Sequence, residues 1–273
     1  MIALLFLIAL GLGDASATLA RWREALELDL GREVLEQAPA LTGAKGELAG
    51  NGEALALYAR ALAGAGRAAE ARTLLERAEL PEVERLRVRV ALARLDLEQD
   101  KLAEAAARLA QLGRDDAEAQ LLLGRAWYRA GEAARARPAL ERSLELAPFD
   151  VEAPSAWHML AQEARARGDS ARAAQCGERA QKSAEWQAYY RTRRLQLRAH
   201  PEDPLPRYGL CELWIAAGED ARARPLLLEL LAQSPDFARA ELALARLEQR
   251  AGRAESSAQH YQRYRALGGT ESL

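Results

Sequence analysis

Apolar positions recur at helical spacing through most of the chain and are interrupted at intervals by short polar turns. The turns resemble one another. The stretch GRAAEA at Gly66–Ala71 returns as DKLAEA at Asp100–Ala105, GEAARA at Gly131–Ala136, GDSARA at Gly168–Ala173 and GEDARA at Gly218–Ala223, with a worn copy, GRAESS, at Gly252–Ser257. The landmarks Gly66, Asp100, Gly131, Gly168, Gly218 and Gly252 are spaced 34, 31, 37, 50 and 34 residues apart. A period near 34 with a turn inside each unit predicts stacked pairs of antiparallel helices.

The unit Ala117–Asp150 shows why. Gly124 and Ala136 are small where its two helices cross, and Trp127 and Leu140 fill the space beside that crossing. Gly131 ends the first helix with a positive φ, and Pro148 ends the second. The pattern repeats in Gly52–Arg85 and Pro204–Phe237, then in Pro154–Gln187, where Gly177 stands at the position of Leu140, and more weakly in Leu86–Ala119 and Ala238–Glu271. Leu123-Gly124, Trp127, Ala136, Leu140 and Pro148, at these offsets, resemble the tetratricopeptide repeat. The resemblance covers 52–271 and implies an all-α, right-handed solenoid of helix-turn-helix repeats.

Three stretches depart from the pattern. Residues 18–51 open with an amphipathic helix carrying Leu19, Trp22, Ala25 and Leu26 on one face, and predict a capping helix and loop before the first repeat. Pro138 and Pro225 share an offset inside second helices, so those helices are expected to start late or bend. The 50-residue spacing places extra chain at 188–203, between four repeats over 52–187 and two over 204–271. Its pattern, with Trp186, Tyr190, Leu195 and Leu197, reads as an added helix or an extension of the preceding one.

At the N-terminus, eleven apolar residues, Ile2–Leu12, precede Ala15-Ser16-Ala17. This is the form of a signal peptide over 1–17 with an Ala-x-Ala cleavage site, although no Lys or Arg precedes the apolar run. The run is shorter than the ~20 residues of a spanning helix. Export to a periplasmic or extracellular location, with no membrane span after cleavage, is the expectation; an uncleaved anchor or a buried first helix is the alternative.

Composition narrows the chemistry. Thirty-eight Lys and Arg balance 40 Asp and Glu, a net charge of -2, which disfavours a nucleic-acid binder driven by bulk charge. Cys176 and Cys211 are too few and too far apart for a metal or redox motif and read as buried free thiols. His158, His200 and His260 fall on different segments, so neither catalysis nor a cofactor is expected.

The resemblance implies that the second, fifth, ninth, twelfth and thirteenth residues of each unit face a concave groove. The ninth residues are Arg60, Arg94, Arg125, Gln162, Glu212 and Arg246. Arg60, Arg94, Arg125 and Gln162 form a row, joined by Tyr128, Arg129, His158 and Arg165 at neighbouring groove offsets. Guanidinium groups offer paired donors to carboxylates and peptide carbonyls. The sequence therefore predicts an adaptor for a protein or peptide, with a carboxylate-bearing partner favoured. A structural subunit joined through its convex face, the inserted helix or the Tyr261/Tyr264 end is the alternative.

Overall fold

The computed structural model describes residues 15–273, and the apolar run Ile2–Leu12 lies outside them. The described chain is helical, with helices joined by short turns: α1 (Ala15–Glu27), α2 (Gly31–Thr42), α3 (Gly52–Gly64), α4 (Ala68–Glu76), α5 (Glu82–Glu98), α6 (Leu102–Ala110), α7 (Ala117–Arg129), α8 (Ala133–Leu146), α9 (Ala153–Ala166), α10 (Ser170–Ala199), α11 (Pro204–Ala216), α12 (Asp220–Gln233), α13 (Ala238–Arg250) and α14 (Ala254–Ala266). It is an all-α repeat solenoid. None of these helices is long and apolar enough to cross a membrane.

The six turns are alike because each has one left-handed residue. Their φ values run from 61° at Asp100 to 80° at Gly131. Glycine reaches this region without a Cβ penalty, whereas Asp100 is one of the few residue types with a side chain that tolerate it. Helix starts are fixed by side chains. Asn51, Asp116 and Asp203 precede α3, α7 and α11, and their Oδ1 atoms accept from the N–H groups of Ala54, Ala119 and Leu205 at 2.8, 2.8 and 2.9 Å.

The crossing in the unit α7–α8 is as close as its small residues require. A Cβ on Gly124 would lie 2.6 Å from Leu140 Cγ and 3.1 Å from its backbone nitrogen. At Gly177 in α10 the same added atom would meet nothing within 4 Å.

Two compact units divide the chain at 184/185. In the first, α3, α5, α7 and α9 lie side by side in order, with α1 beside α3. Four apolar clusters follow one another along this row. Trp22, Val34 and Ala54 centre the first, Leu62, Leu75 and Leu95 the second, Val90, Leu109 and Leu122 the third, and Leu140, Leu160 and Cys176 the fourth. In the second unit α11–α12 and α13–α14 form two hairpins with buried Leu210, Leu227, Leu230, Leu244 and Leu247. There Trp186, Tyr190 and Trp214 form an aromatic group with centroids 4.8–5.9 Å apart. The residues after α14 fold back, and the N–H groups of Thr270 and Glu271 donate to Tyr264 Oη at 3.1 and 3.0 Å.

Several expectations are refined. Residues 18–51 hold a second helix, α2, between the capping helix and a loop shortened to 43–51, and α2 runs through Pro39. α8 and α12 do not start late: each begins five residues before its proline and runs through it. The extra chain extends the preceding helix, so that α10 has 30 residues, about 45 Å. Cys176 and Cys211 are buried free thiols, and burial pushes the Cys211 thiol up to about 12.

Candidate functional site

The side-by-side first helices of the first unit enclose a cavity of about 360 Å³. Its walls come from α1, α3, α5, α7, the end of α8 and the turn into α9. Ala56, Ala63 and Ala91, with Leu57, Val90 and Leu121, give it a shallow apolar lining; alanine at these positions leaves room that larger side chains would fill. Charged residues complete it. Arg23, Arg60, Arg87 and Arg94 stand among Glu27, Glu53, Glu98, Glu118, Asp150 and Glu152, so six carboxylates meet four guanidiniums.

Arg94 organises a charge cluster in the cavity wall. Its side chain is 16% exposed; Nη2 donates to Glu118 Oε1 and Nη1 to Glu152 Oε1, both at 2.8 Å. Arg125 Nη2 donates to the other oxygen of Glu152. Burial alone would raise the Glu152 carboxyl, but the Arg94 and Arg125 guanidiniums overcome it and hold the group at about 2. Glu118 and Glu152 likewise hold the Arg94 guanidinium above its ordinary range against its burial. Asp150, at the surface in the turn before α9, moves the other way: desolvation by the packed chain around it raises its carboxyl, and the charges of Glu152 and Glu118 add to that, against the hydrogen bond it accepts from the Glu152 N–H at 2.8 Å and the charge of Arg60. At the rim, Arg23 pairs with Glu53 at 2.5 Å and Arg87 with Asp116 at 2.8 Å.

The eight residues singled out from the sequence are not gathered in one place. Arg60 and Arg94 line the cavity, and Arg125 joins it through Glu152. Tyr128 is half-buried against the α7–α9 cluster. Arg129 reaches back to the preceding repeat, donating to the Leu97 carbonyl at 2.7 Å and to Asp100 Oδ1 at 2.8 Å. His158 and Gln162 face each other on α9, with their Nε2 atoms 3.3 Å apart, and Arg165 is exposed one turn on. None of the last five lines the cavity.

The residues that were not anticipated are the carboxylates. Glu53 and Glu118 occupy the second offset of their units, so the pattern that selected Arg60 and Arg94 could have found them. Asp150 and Glu152 lie in a turn between units, outside any groove offset, and carried no such signal. The lining has no His, Cys, Tyr or Thr; its one hydroxyl, Ser143 Oγ, is buried and donates to the Leu140 carbonyl at 2.8 Å. Among the described residues no group of three or more His, Cys, Asp or Glu side chains is placed to hold a metal ion. The arrangement is suited to binding.

No family model matches the chain, and no curated protein matches it. Solved structures do. A crystal structure of the APC/C hetero-tetramer Cut9-Hcn1 superposes over 97% of this chain and 48% of that one, with a TM-score of 0.52 at 13% identity. This chain thus spans about half the length of the chain it matches. A monomeric mutant of IFIT1 with Gppp-AAAA matches over 92% of this chain and 67% of its own, at a TM-score of 0.44 and 13% identity. MamA from AMB-1 matches over 66% and 96%, at 0.30 and 19%. The repeat pattern, the paired helices and the superposition on Cut9-Hcn1 agree that this chain has the fold of a tetratricopeptide-type helical repeat protein.

Proposed function

We propose that the chain is a protein-interaction adaptor and that the cavity of the first unit holds an extended segment of a protein partner. The observation that carries this reading is the cavity itself: about 360 Å³ along the row of first helices, lined by alanines and by charged side chains of both signs. Extended chain offers such a surface backbone carbonyls for Arg60 and small side chains for the alanine-lined part of the wall. A lining in which carboxylates outnumber guanidiniums supports a protein partner over a nucleic acid, whose phosphates it would repel. The absence of His and Cys from the lining supports binding without catalysis.

The test is to fill the cavity. Ala56 is half-buried and belongs to the lining, so Ala56→Trp should block partner capture while the helical circular dichroism is unchanged. Capture at the wild-type level by the folded variant would remove the groove from consideration.

We further propose that the adaptor works outside the cytoplasm, after cleavage between Ala17 and Thr18. Ala15, Ser16 and Ala17 form the exposed start of α1, while Thr18, Leu19, Trp22 and Ala25 supply its buried face, so removal of residues 1–17 spares that packing. The mature protein should begin at Thr18; Met1 retained on the protein in the cytoplasm would reject export.

A second reading, a structural subunit, draws on one observation: of the 30 residues of α10, only Ala173 and Cys176 are buried. Loss of assembly in α10 surface variants, with capture unaffected by Ala56→Trp, would favour it.

A further inference from the structure

We infer that the segment held in the cavity of the first unit is basic, entering with Lys or Arg side chains. The inference rests on the groove reading above and specifies what the groove selects. The arginine row by itself would favour a carboxylate-bearing partner, but the geometry reverses that preference. Arg94 is shared between Glu118 and Glu152, and Glu152 also receives Arg125, so these two guanidiniums serve internal carboxylates. Arg23 and Arg87 are held by Glu53 and Asp116. When the pair partners Arg125 and Asp116 are included with the lining, seven carboxylates face five guanidiniums.

The remaining excess is negative and local to the cavity. Within that excess, the Asp150 carboxylate stands near two like charges, Glu152 and Glu118, and one opposite charge, Arg60. An incoming ammonium or guanidinium relieves that field; an incoming carboxylate adds to it. Shape agrees with charge. Ala56, Ala63, Val90 and Ala91 present an apolar lining to the aliphatic stem of Lys or Arg, whose charged end then reaches the rim acids. Glu98, exposed at the end of α5, and Asp150, in the turn before α9, are the two acids by which the preference can be tested.

The experiment is selection of a displayed library of random short peptides on the full chain, with the Ala56→Trp variant as counter-selection. The expected result is enrichment of Lys and Arg over Asp and Glu among peptides that the wild type binds and Ala56→Trp does not. For a synthesised peptide from that set, Glu98→Gln combined with Asp150→Asn should weaken binding about tenfold. Enrichment of Asp and Glu, or no charge bias, among peptides blocked by Ala56→Trp would overturn the inference and leave the groove reading standing. Peptides that bind Ala56→Trp as well as the wild type would overturn both. Unchanged affinity in the double variant would also reject the charge assignment.

Discussion

Glu152 is the carboxylate on which the charge cluster turns, and its chemistry has a measurable consequence. Its ordinary value is 4.5 and the folded protein holds it at about 2, so the folded state keeps it ionised where the unfolded chain takes up a proton. The associated stability is fully present above about pH 4.5 and is lost as pH falls toward 2, by up to about 3 kcal/mol. Asp150 has the opposite sign, because its raised carboxyl favours folding on the acid side; Asp150→Asn removes that contribution and isolates Glu152. Arg94→Met should cost about 3 kcal/mol at neutral pH, since it leaves Glu118 and Glu152 facing one another with only Arg125 to compensate, and should flatten the acid limb of urea melts recorded across this range. By contrast Arg32→Met, at an open i,i+4 pair, should change stability by less than about 0.5 kcal/mol. The arginines of this cluster were legible in the sequence because they repeat at one offset. Of their acids, Glu118 lies at a groove offset and was open to the same reading, whereas Glu152 was not, since it lies 58 residues from Arg94 and only packing brings them together.

Helix by helix, the repeat pattern anticipated the hairpins well because the small and large positions do mechanical work. Gly124 and Gly177 separate this from mere helical preference. Gly124→Ala should destabilise by about 1–3 kcal/mol, because its Cβ would meet Leu140 at 2.6 Å. Gly177→Ala, in open space within α10, should stabilise by up to about 1 kcal/mol through helix propensity. Thermal melts of the two variants moving in the same direction would contradict the packing account. What the pattern misjudged were the elements with prolines. Pro39, Pro138 and Pro225 argue locally against helix, yet α2, α8 and α12 continue through them because tertiary packing outweighs one missing donor. The length of α10 was also ambiguous from its periodicity alone, since a separate helix and an extension share the same spacing.

Across the whole molecule, the same long-range charge pairing recurs between successive repeats. Arg72, six residues past its turn glycine, donates to buried Asp96 in the next unit at 2.7 Å. Arg224, at the same offset, pairs with Glu248 at 2.7 Å, and Arg137 approaches Glu163 at 3.8 Å. Asp96, Glu163 and Glu248 are 2%, 4% and 0% exposed, and each has a second arginine: Arg108, Arg167 and Arg253. Four residues before the turn, where the second and sixth units carry Asp96 and Glu248 and the fourth carries Glu163 one residue earlier still, the third and fifth units carry Trp127 and Trp214, each covered by an arginine four residues past its turn glycine, Arg135 and Arg222. The arginine donors thus stand on the first, third and fifth units and their acids on the second, fourth and sixth. The array is written in couplets, so its units are not interchangeable letters. Excising the third unit alone would set Glu163 opposite Ala106, the second unit's residue at the Arg137 offset, with Arg167 as its remaining counter-charge. A lineage that shortened or lengthened this protein by whole couplets would keep Asp96, Glu163 and Glu248 matched to both of their arginines.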